Sequence, residues 1–436
     1  MIEPAPTSTA AAAGAVALIQ EGLFDTYMLY ERAGTWTVAG GDHATVTLDA
    51  EHVRVRHEGS DRRWRWRSQP LVRLGEALAA VPMPTGTAYG WLAFEIAQLL
   101  AGRPDLAGTA DLAHVVVPRA EARISHNGAT ITCPDPDLRD RIHDVLTTAA
   151  PAPRASTAKV DIEQDSTSYQ AAVADAVRTI QRGFFRKVIL SRQVPVDAGI
   201  DFPRTYLRGR AANTPARSFL LDLGGRRATG FCPETILETG ADGLVSTQPL
   251  AGTRSLGNGA VDDHRLRAEL LADPKEVYEH AVSVKLAYDE LSRVCVPETV
   301  VVNDLMSVKP RGGVQHLGSR VRGYLDAGRT AWEALEAVYP AVTASGIPKS
   351  AACEYIARTE SRPRGLYSGA VVMATQDGAL DAGLVLRSLF EEKGRRWLQA
   401  GAGITAASRP EREYEETCEK LRSIAPYLVE NRRPVL

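Results

Sequence analysis

Gly401-Ala402-Gly403-Ile404, followed by Ser408-Arg409-Pro410-Glu411-Arg412-Glu413-Tyr414-Glu415-Glu416-Thr417-Cys418-Glu419-Lys420, is the stretch on which the reading of this chain turns. It predicts a glycine turn running into a helix. Ser408 suits the N-cap, Pro410 the first turn, and Glu411, three residues after the cap, completes a capping box. At 3.6 residues per turn Glu413, Glu416 and Lys420 share one face, and Tyr414, Cys418 and Leu421 another. Two carboxylates at i, i+3 repel unless positive charge stands between them. Alone, the run reads either as a solvated acidic face or as half of a cation site.

Working outward, the same pattern returns in Asp273-Pro274-Lys275-Glu276-Val277-Tyr278-Glu279-His280. Asp273 caps this second helix, Pro274 takes its first position, and Glu276 and Glu279 again stand at i, i+3. Val277, Ala281, Val284, Tyr288 and Leu291 form the stripe expected to face the core. Glu276 can also close a capping box with Asp273; Glu279 has no such local role. Two packed helices, each offering Glu-x-x-Glu, can hold a hard divalent cation through oxygen ligands, and magnesium is the natural candidate.

The rest of the composition bounds the problem. The chain has 436 residues, 44% of them hydrophobic, and a formal net charge of −2. That length carries one large domain or two ordinary ones. A near-neutral balance argues against a nucleic-acid partner. Five scattered cysteines without a C-x-x-C pair speak against a disulfide framework or a zinc site, and fit a reducing cytoplasm. The apolar run Ala10–Ile19 lacks a preceding Lys or Arg and is too short to span a bilayer, so no membrane association is expected.

The first 150 residues read as strand-rich. Trp36–Val38, Ala44–Leu48 and His52–Arg56 alternate, as does Arg62-Arg63-Trp64-Arg65-Trp66-Arg67, in which tryptophans are expected inward and arginines in solvent. Pro70–Val81 carries a helical stripe, and Tyr89–Glu95 reads as buried. Ala149–Thr157, rich in Pro and Ala, is a linker. Beyond it, Ser168–Arg182 reads as a helix ended by Gly183, and Phe184–Arg192 as a strand. Lys187 in that strand is either an edge gatekeeper or, turned into a closed site, a desolvated lysine usable as a general base. Thr330–Val338 is a capped helix. Asp381–Phe390 reads as a strand in which Arg387 either snorkels to solvent or clamps a carboxylate.

Taken together, the blocks Lys187–Arg192 (KVILSR), Pro249–Arg254 (PLAGTR), Lys275–His280, Val314–Ser319 (VQHLGS), Pro340–Lys349 (PAVTASGIPK), Pro363–Met373 (PRGLYSGAVVM), Gly401–Ile404 and Pro410–Leu421 resemble the chorismate-utilising enzymes. That family holds the anthranilate, aminodeoxychorismate, isochorismate and salicylate synthases, and the resemblance is strongest to bacterial salicylate synthases of the kind that serve mycobactin siderophores. Cys232 departs mildly, standing where serine often precedes the Pro-Glu pair. The resemblance implies a single α+β domain with an antiparallel β-sheet core and helices outside, to which residues 1–150 give the N-terminal strands and 159–436 the catalytic part. It implies Glu279 and Glu416 as direct magnesium ligands, with Glu276 and Glu413 acting through water. Tyr367, Arg387 and the Gly401–Gly403 backbone would grip the enolpyruvyl carboxylate of chorismate, while Gly252, Thr253, Thr343 and Lys420 line the pocket. Neutral Lys187 would activate water as general base, protonated Glu234 would act as general acid, and His316 would stand near the leaving enolpyruvyl side.

The activity so implied is conversion of chorismate through isochorismate to salicylate and pyruvate, by a cytoplasmic monomer. An isochorismate synthase that stops at the intermediate is the nearest alternative. Anthranilate-type synthases typically carry glutamine at the position of Lys187 and need a glutaminase partner, so no such subunit is expected. A non-catalytic binder of aromatic carboxylates would have no use for an acid–base pair.

Overall fold

The structure, a computed structural model, describes residues 6–148, 156–256 and 259–431. Thr35–Leu48 is the strand from which two antiparallel sheets diverge. Through Tyr27–Arg32 the first sheet continues to Arg217–Leu223, Arg226–Cys232, Ser388–Glu392, Arg395–Ile404 and Lys187–Pro195. Through Ala113–Ser125 the second continues to Thr87–Leu92, Ala370–Thr375, Leu380–Leu384, Thr235–Thr239, Leu244–Thr247 and Val314–Tyr324. Val314–Tyr324 in turn pairs with Leu250–Ser255 and Val301–Arg311. Strands from the first 150 residues are thus interleaved with later ones around shared cores, which makes a single α+β domain. Thr87–Leu92 shows why: all six residues are buried, as in a strand covered on both faces.

Helices cover the outside. Pro274–Leu291 packs on Leu250–Ser255 and Val314–Tyr324, and Pro410–Leu421 packs on Arg395–Ile404 and on the Ser166–Gln181 helix. Each sheet therefore ends in strands backed by one acidic helix, and the two ends face each other. Asp273 caps its helix as expected, accepting from the N–H groups of Lys275 and Glu276. Thr330 and Glu333 form a full capping box on Ala331–Val338, an arrangement that contributes about 1 kcal/mol. No helix among the described residues is long and apolar enough to cross a membrane.

Several local expectations are corrected. Gly401–Ile404 is the end of a strand, not a turn. The following helix begins at Pro410 with Arg409 as N-cap and no side-chain cap, so the Ser408–Glu411 capping box does not form. Ser408 instead accepts from Thr405 N–H and bonds the Glu413 carboxylate. The buried face of Pro274–Leu291 runs His280, Ser283, Val284, Ala287 and Leu291, and Ala281 is exposed. Polar residues on this inner face find partners of different kinds: His280 Nε2 lies 2.7 Å from Ser319 Oγ of the sheet, and Ser283 donates to Glu279 O of its own helix. Trp64 is 40% exposed: its strand pairs only with His52–His57 at the border of the sheet, beyond the main core. Asp381–Phe390 breaks into two strands around Arg387, whose φ of 51° is left-handed. Residues 149–155 of the linker lie outside the described residues.

Candidate active site

Lys187, Glu234, Gly252, Thr253, Glu276, Glu279, His316, Thr343, Tyr367, Arg387, Gly401, Gly403, Glu413, Glu416 and Lys420 all line one cavity of about 750 Å³. It lies between the two facing sheet ends. The strands that carry Lys187 and the glycines form one wall, and Glu234 with His316 and Arg387 forms another.

Glu234 follows the Arg226–Cys232 strand and is 3% exposed. Leu250 N–H donates to its Oε2 at 3.1 Å, and the Thr343 hydroxyl donates to Oε1. Burial outweighs these two bonds and pushes the carboxyl up to about 8. At neutral pH this side chain therefore holds a proton.

Beside it, Arg387 is half-buried and faces the cavity, so it does not snorkel. It donates to Arg311 O and to His316 Nε2, each at 2.9 Å. Burial and the neighbouring Arg311 charge bring its guanidinium down to about 10. A guanidinium has no acceptor, so His316 Nε2 must present its lone pair. Nδ1 then carries the proton, 3.2 Å from Gly252 O and 3.0 Å from Thr253 Oγ1. Burial and Arg387 hold His316 down at about 3, so the imidazole stays neutral. Both ring nitrogens are engaged, Nε2 by Arg387 and Nδ1 by Gly252 and Thr253, which leaves none aimed at a substrate proton.

The opposite wall is built from paired charges. Lys187 opens its strand and donates from Nζ to Glu279 Oε2 at 2.9 Å, so it points into the cavity and does not guard an edge. Arg254 lies 3.3 Å from Glu276, whose carboxyl is raised by burial, against the pull of Arg254, and further by Glu279. Glu413 is buried and raised by that burial and by Glu416. Burial also acts to raise Glu416, but Lys420 at 2.8 Å outweighs it and the carboxyl is lowered. Lys420 also donates to Gly401 O at 2.7 Å. The charge of Lys187 is felt at Glu416 and that of Lys275 at Glu413, so the two helices share one field.

Among the described residues, no three of these carboxylates are close enough, as placed, to hold an ion. Their donor chemistry nevertheless fits a hard divalent cation: four carboxylates line one cavity, and two are held above their ordinary range partly by a like-charged neighbour. The glycines answer to space. Gly252 has φ of 71°, and a Cβ there would stand 2.9 Å from Glu276 Oε2. A Cβ on Gly401 would meet Leu190 O at 2.7 Å and Tyr367 Oη at 3.1 Å.

A family model described as chorismate binding enzyme matches residues 25–426. The chain belongs to the chorismate-binding enzyme family. Over 419 residues it is 45% identical to a salicylate synthase from Mycolicibacterium paratuberculosis, covering 96% of this chain and 93% of that protein. It is 41% identical over 254 residues to anthranilate synthase component 1 of Streptomyces coelicolor, a match spanning 58% of this chain and 49% of that one. Among solved structures, anthranilate synthase component I from Streptococcus pneumoniae superposes with a TM-score of 0.74 at 25% identity, covering 90% of this chain and 92% of that one. The menaquinone-specific isochorismate synthase MenF from Escherichia coli shares the fold, with a TM-score of 0.72 at 20% identity, covering 94% and 91%.

Three arginines of this chorismate-binding enzyme escaped the sequence reading as site residues. Arg254 faces Glu276, and Arg311 sends Nε to Pro233 O at 2.7 Å beside Glu234. Arg364, 1% exposed, pairs with Glu360 and donates to Ala344 O at 2.8 Å and Ile189 O at 2.7 Å. It thereby ties the segment holding Thr343 to the strand holding Lys187. Its only signal was its place in the PRGLYSGAVVM block. Breaking such a buried pair costs about 3–5 kcal/mol, because the remaining charge stays buried.

Proposed function

We propose that this enzyme converts chorismate, through isochorismate, to salicylate and pyruvate, with magnesium as cofactor. The near-full-length identity to a salicylate synthase carries the reading. The acid–base pair across the cavity gives it a mechanism. Lys187, released from Glu279, serves as the general base and takes a proton from water as that water attacks ring carbon 2. Glu234, already protonated because burial holds it at about 8, gives its proton to the departing C4 hydroxyl.

Glu279 and Glu416 would hold magnesium directly, and Glu276 and Glu413 through water. When bound, the ion supplies the positive charge that holds the ring carboxylate of a doubly anionic substrate. Arg387, Tyr367 and the Gly401–Gly403 backbone take the enolpyruvyl carboxylate, and neutral His316 serves them by fixing Arg387. In the second step the C2 hydrogen of isochorismate passes to the enolpyruvyl methylene, the C3–O bond breaks, and the ring becomes aromatic. That step asks the pocket only to hold the side chain folded over the ring.

Lys187 also speaks for water over ammonia as nucleophile, so the chain is proposed to act without a glutaminase subunit. The test is a product assay with purified protein, chorismate and magnesium in ¹⁸O-water. Salicylate carrying the label in its hydroxyl, with one pyruvate, is expected; isochorismate as the end product makes it an isochorismate synthase, and anthranilate from ammonium salts overturns the role of Lys187.

A further inference from the structure

Along one face of the paired strands Lys187–Pro195 and Arg395–Ile404, the side chains run Gly403, Gly401, Gln399, Trp397, Arg395 on one strand and Ile189, Ser191, Gln193 on the other. The catalytic cavity occupies the glycine end. A second cavity, of about 380 Å³, occupies the Arg395 end, and Gln399 borders both. The partition is itself hydrogen-bonded: Gln399 Nε2 donates to Ser191 Oγ at 2.8 Å, and its Oε1 accepts from Trp397 Nε1 and Gln193 Nε2, each at 3.2 Å.

The charges lining this second cavity do not cancel. Arg192 is satisfied by Thr417 and by the carbonyls of Ile162 and Gln164, and Arg396 pairs with Glu391 at 2.8 Å. Glu360 is taken by Arg364, and Asp165 stands on the exposed rim. Arg395 and Arg362 remain. Arg395 donates to Gln193 Oε1 at 2.7 Å and stacks 4.0 Å from the Trp397 ring centroid, and no carboxylate bonds it. Arg362 is exposed and makes no hydrogen bond or ion pair among the described residues. Their mutual repulsion is felt: burial and the charge of Arg362 both lower the Arg395 guanidinium. Ala172, Pro195 and Trp397 give the lining its apolar part, beside polar Ser168, Thr359 and Ser361.

We propose that this cavity is a second ligand site, which binds a small organic carboxylate between Arg362 and Arg395 with its apolar body against Ala172, Pro195 and Trp397. Two guanidinium forks match the planar carboxylate, and the apolar wall favours an organic acid over an inorganic ion. The inference rests on the charge and packing of this cavity and not on the reaction proposed above.

Isothermal titration of the full chain with salicylate, benzoate, pyruvate and inorganic phosphate tests it. An organic acid is expected to bind with a dissociation constant on the order of 1 mM. Arg362→Gln should weaken that binding about tenfold or more, whereas Arg387→Gln, in the catalytic cavity, should change it less than about twofold. Tighter binding of salicylate than benzoate would identify the reaction product as the occupant, and equal binding an aromatic acid at large; pyruvate binding best would identify a short aliphatic acid. Arg362 has no bond to lose, so its variant should melt with the wild type, and Arg395→Gln provides a second reading. Binding that is unchanged in both arginine variants, or phosphate binding more tightly than every organic acid, overturns the proposal.

Discussion

The two walls of the catalytic cavity are made ready in different ways. On the Glu234 wall, burial outweighs the opposing bonds and charges and sets the protonation state: the carboxyl sits at about 8, and His316, neutral and fully engaged, locks Arg387. On the Lys187 wall, the charges are in place but tied to one another, Lys187 to Glu279, Lys420 to Glu416 and Arg254 to Glu276. One wall is complete as a property of the fold. The other holds its lysine in an ion pair, and in the proposed mechanism an added positive charge frees it to act as a base. The comparison teaches that a proton donor can be built from burial, while a proton acceptor surrounded by carboxylates depends on what neutralises them.

The largest effects should therefore fall on the Lys187 wall. Chelation with EDTA should abolish turnover and magnesium should restore it, and Glu279→Gln or Glu416→Gln should weaken magnesium binding at least on the order of 100-fold. Full activity of either variant in metal-free buffer would break the distinction between the walls. Lys187→Ala should cost on the order of 100-fold or more in turnover, measured as initial rate at saturating chorismate.

On the Glu234 wall the signature is pH. A general acid must be protonated, so turnover should fall as pH rises through about 8. The same raised carboxyl contributes to stability fully below its unfolded value near 4.5, and that contribution is lost as pH rises towards 8. Glu234→Gln, neutral at every pH, should then be inactive yet more stable than the wild type at pH 7, by on the order of 1–3 kcal/mol in denaturant titration. A variant less stable than wild type at pH 7 would mean that the Thr343 and Leu250 bonds, not the burial, dominate there.

Smaller still, Arg387→Lys should raise the KM for chorismate about tenfold while leaving kcat nearly unchanged, because lysine cannot reproduce the fork that spans His316, Arg311 O and a carboxylate. Outside both walls, Trp64→Ser should shift stability by less than about 0.5 kcal/mol in thermal melts, since the ring is not in the core.

Much of this was legible in the sequence. Period-two runs gave the strands, Pro274 and Pro410 marked the starts of both acidic helices and Asp273 capped one of them, because backbone geometry and capping are local. The family blocks placed every expected side chain on one cavity. What was not legible depended on partners distant in sequence. Ser408 looked like a cap until Glu413 and Thr405 claimed its hydroxyl. The buried face of Pro274–Leu291 was misjudged because Ser319 makes His280 acceptable inside, and periodicity counts only apolar residues. His316 could be placed at the site but not given its neutral, fully bonded state, which follows from Arg387 reaching across from another strand. Gly401 looked like a turn residue when its role is to admit Leu190 O and Tyr367 at close range.

In the proposed mechanism one cavity carries out both steps and releases salicylate. Chorismate deuterated at C2, given to the purified enzyme with magnesium, tests it most directly. The account predicts fluorescent salicylate and pyruvate in equal amounts, with the deuterium in the pyruvate methyl group. Accumulation of isochorismate that still carries the label, with no pyruvate released, would contradict it.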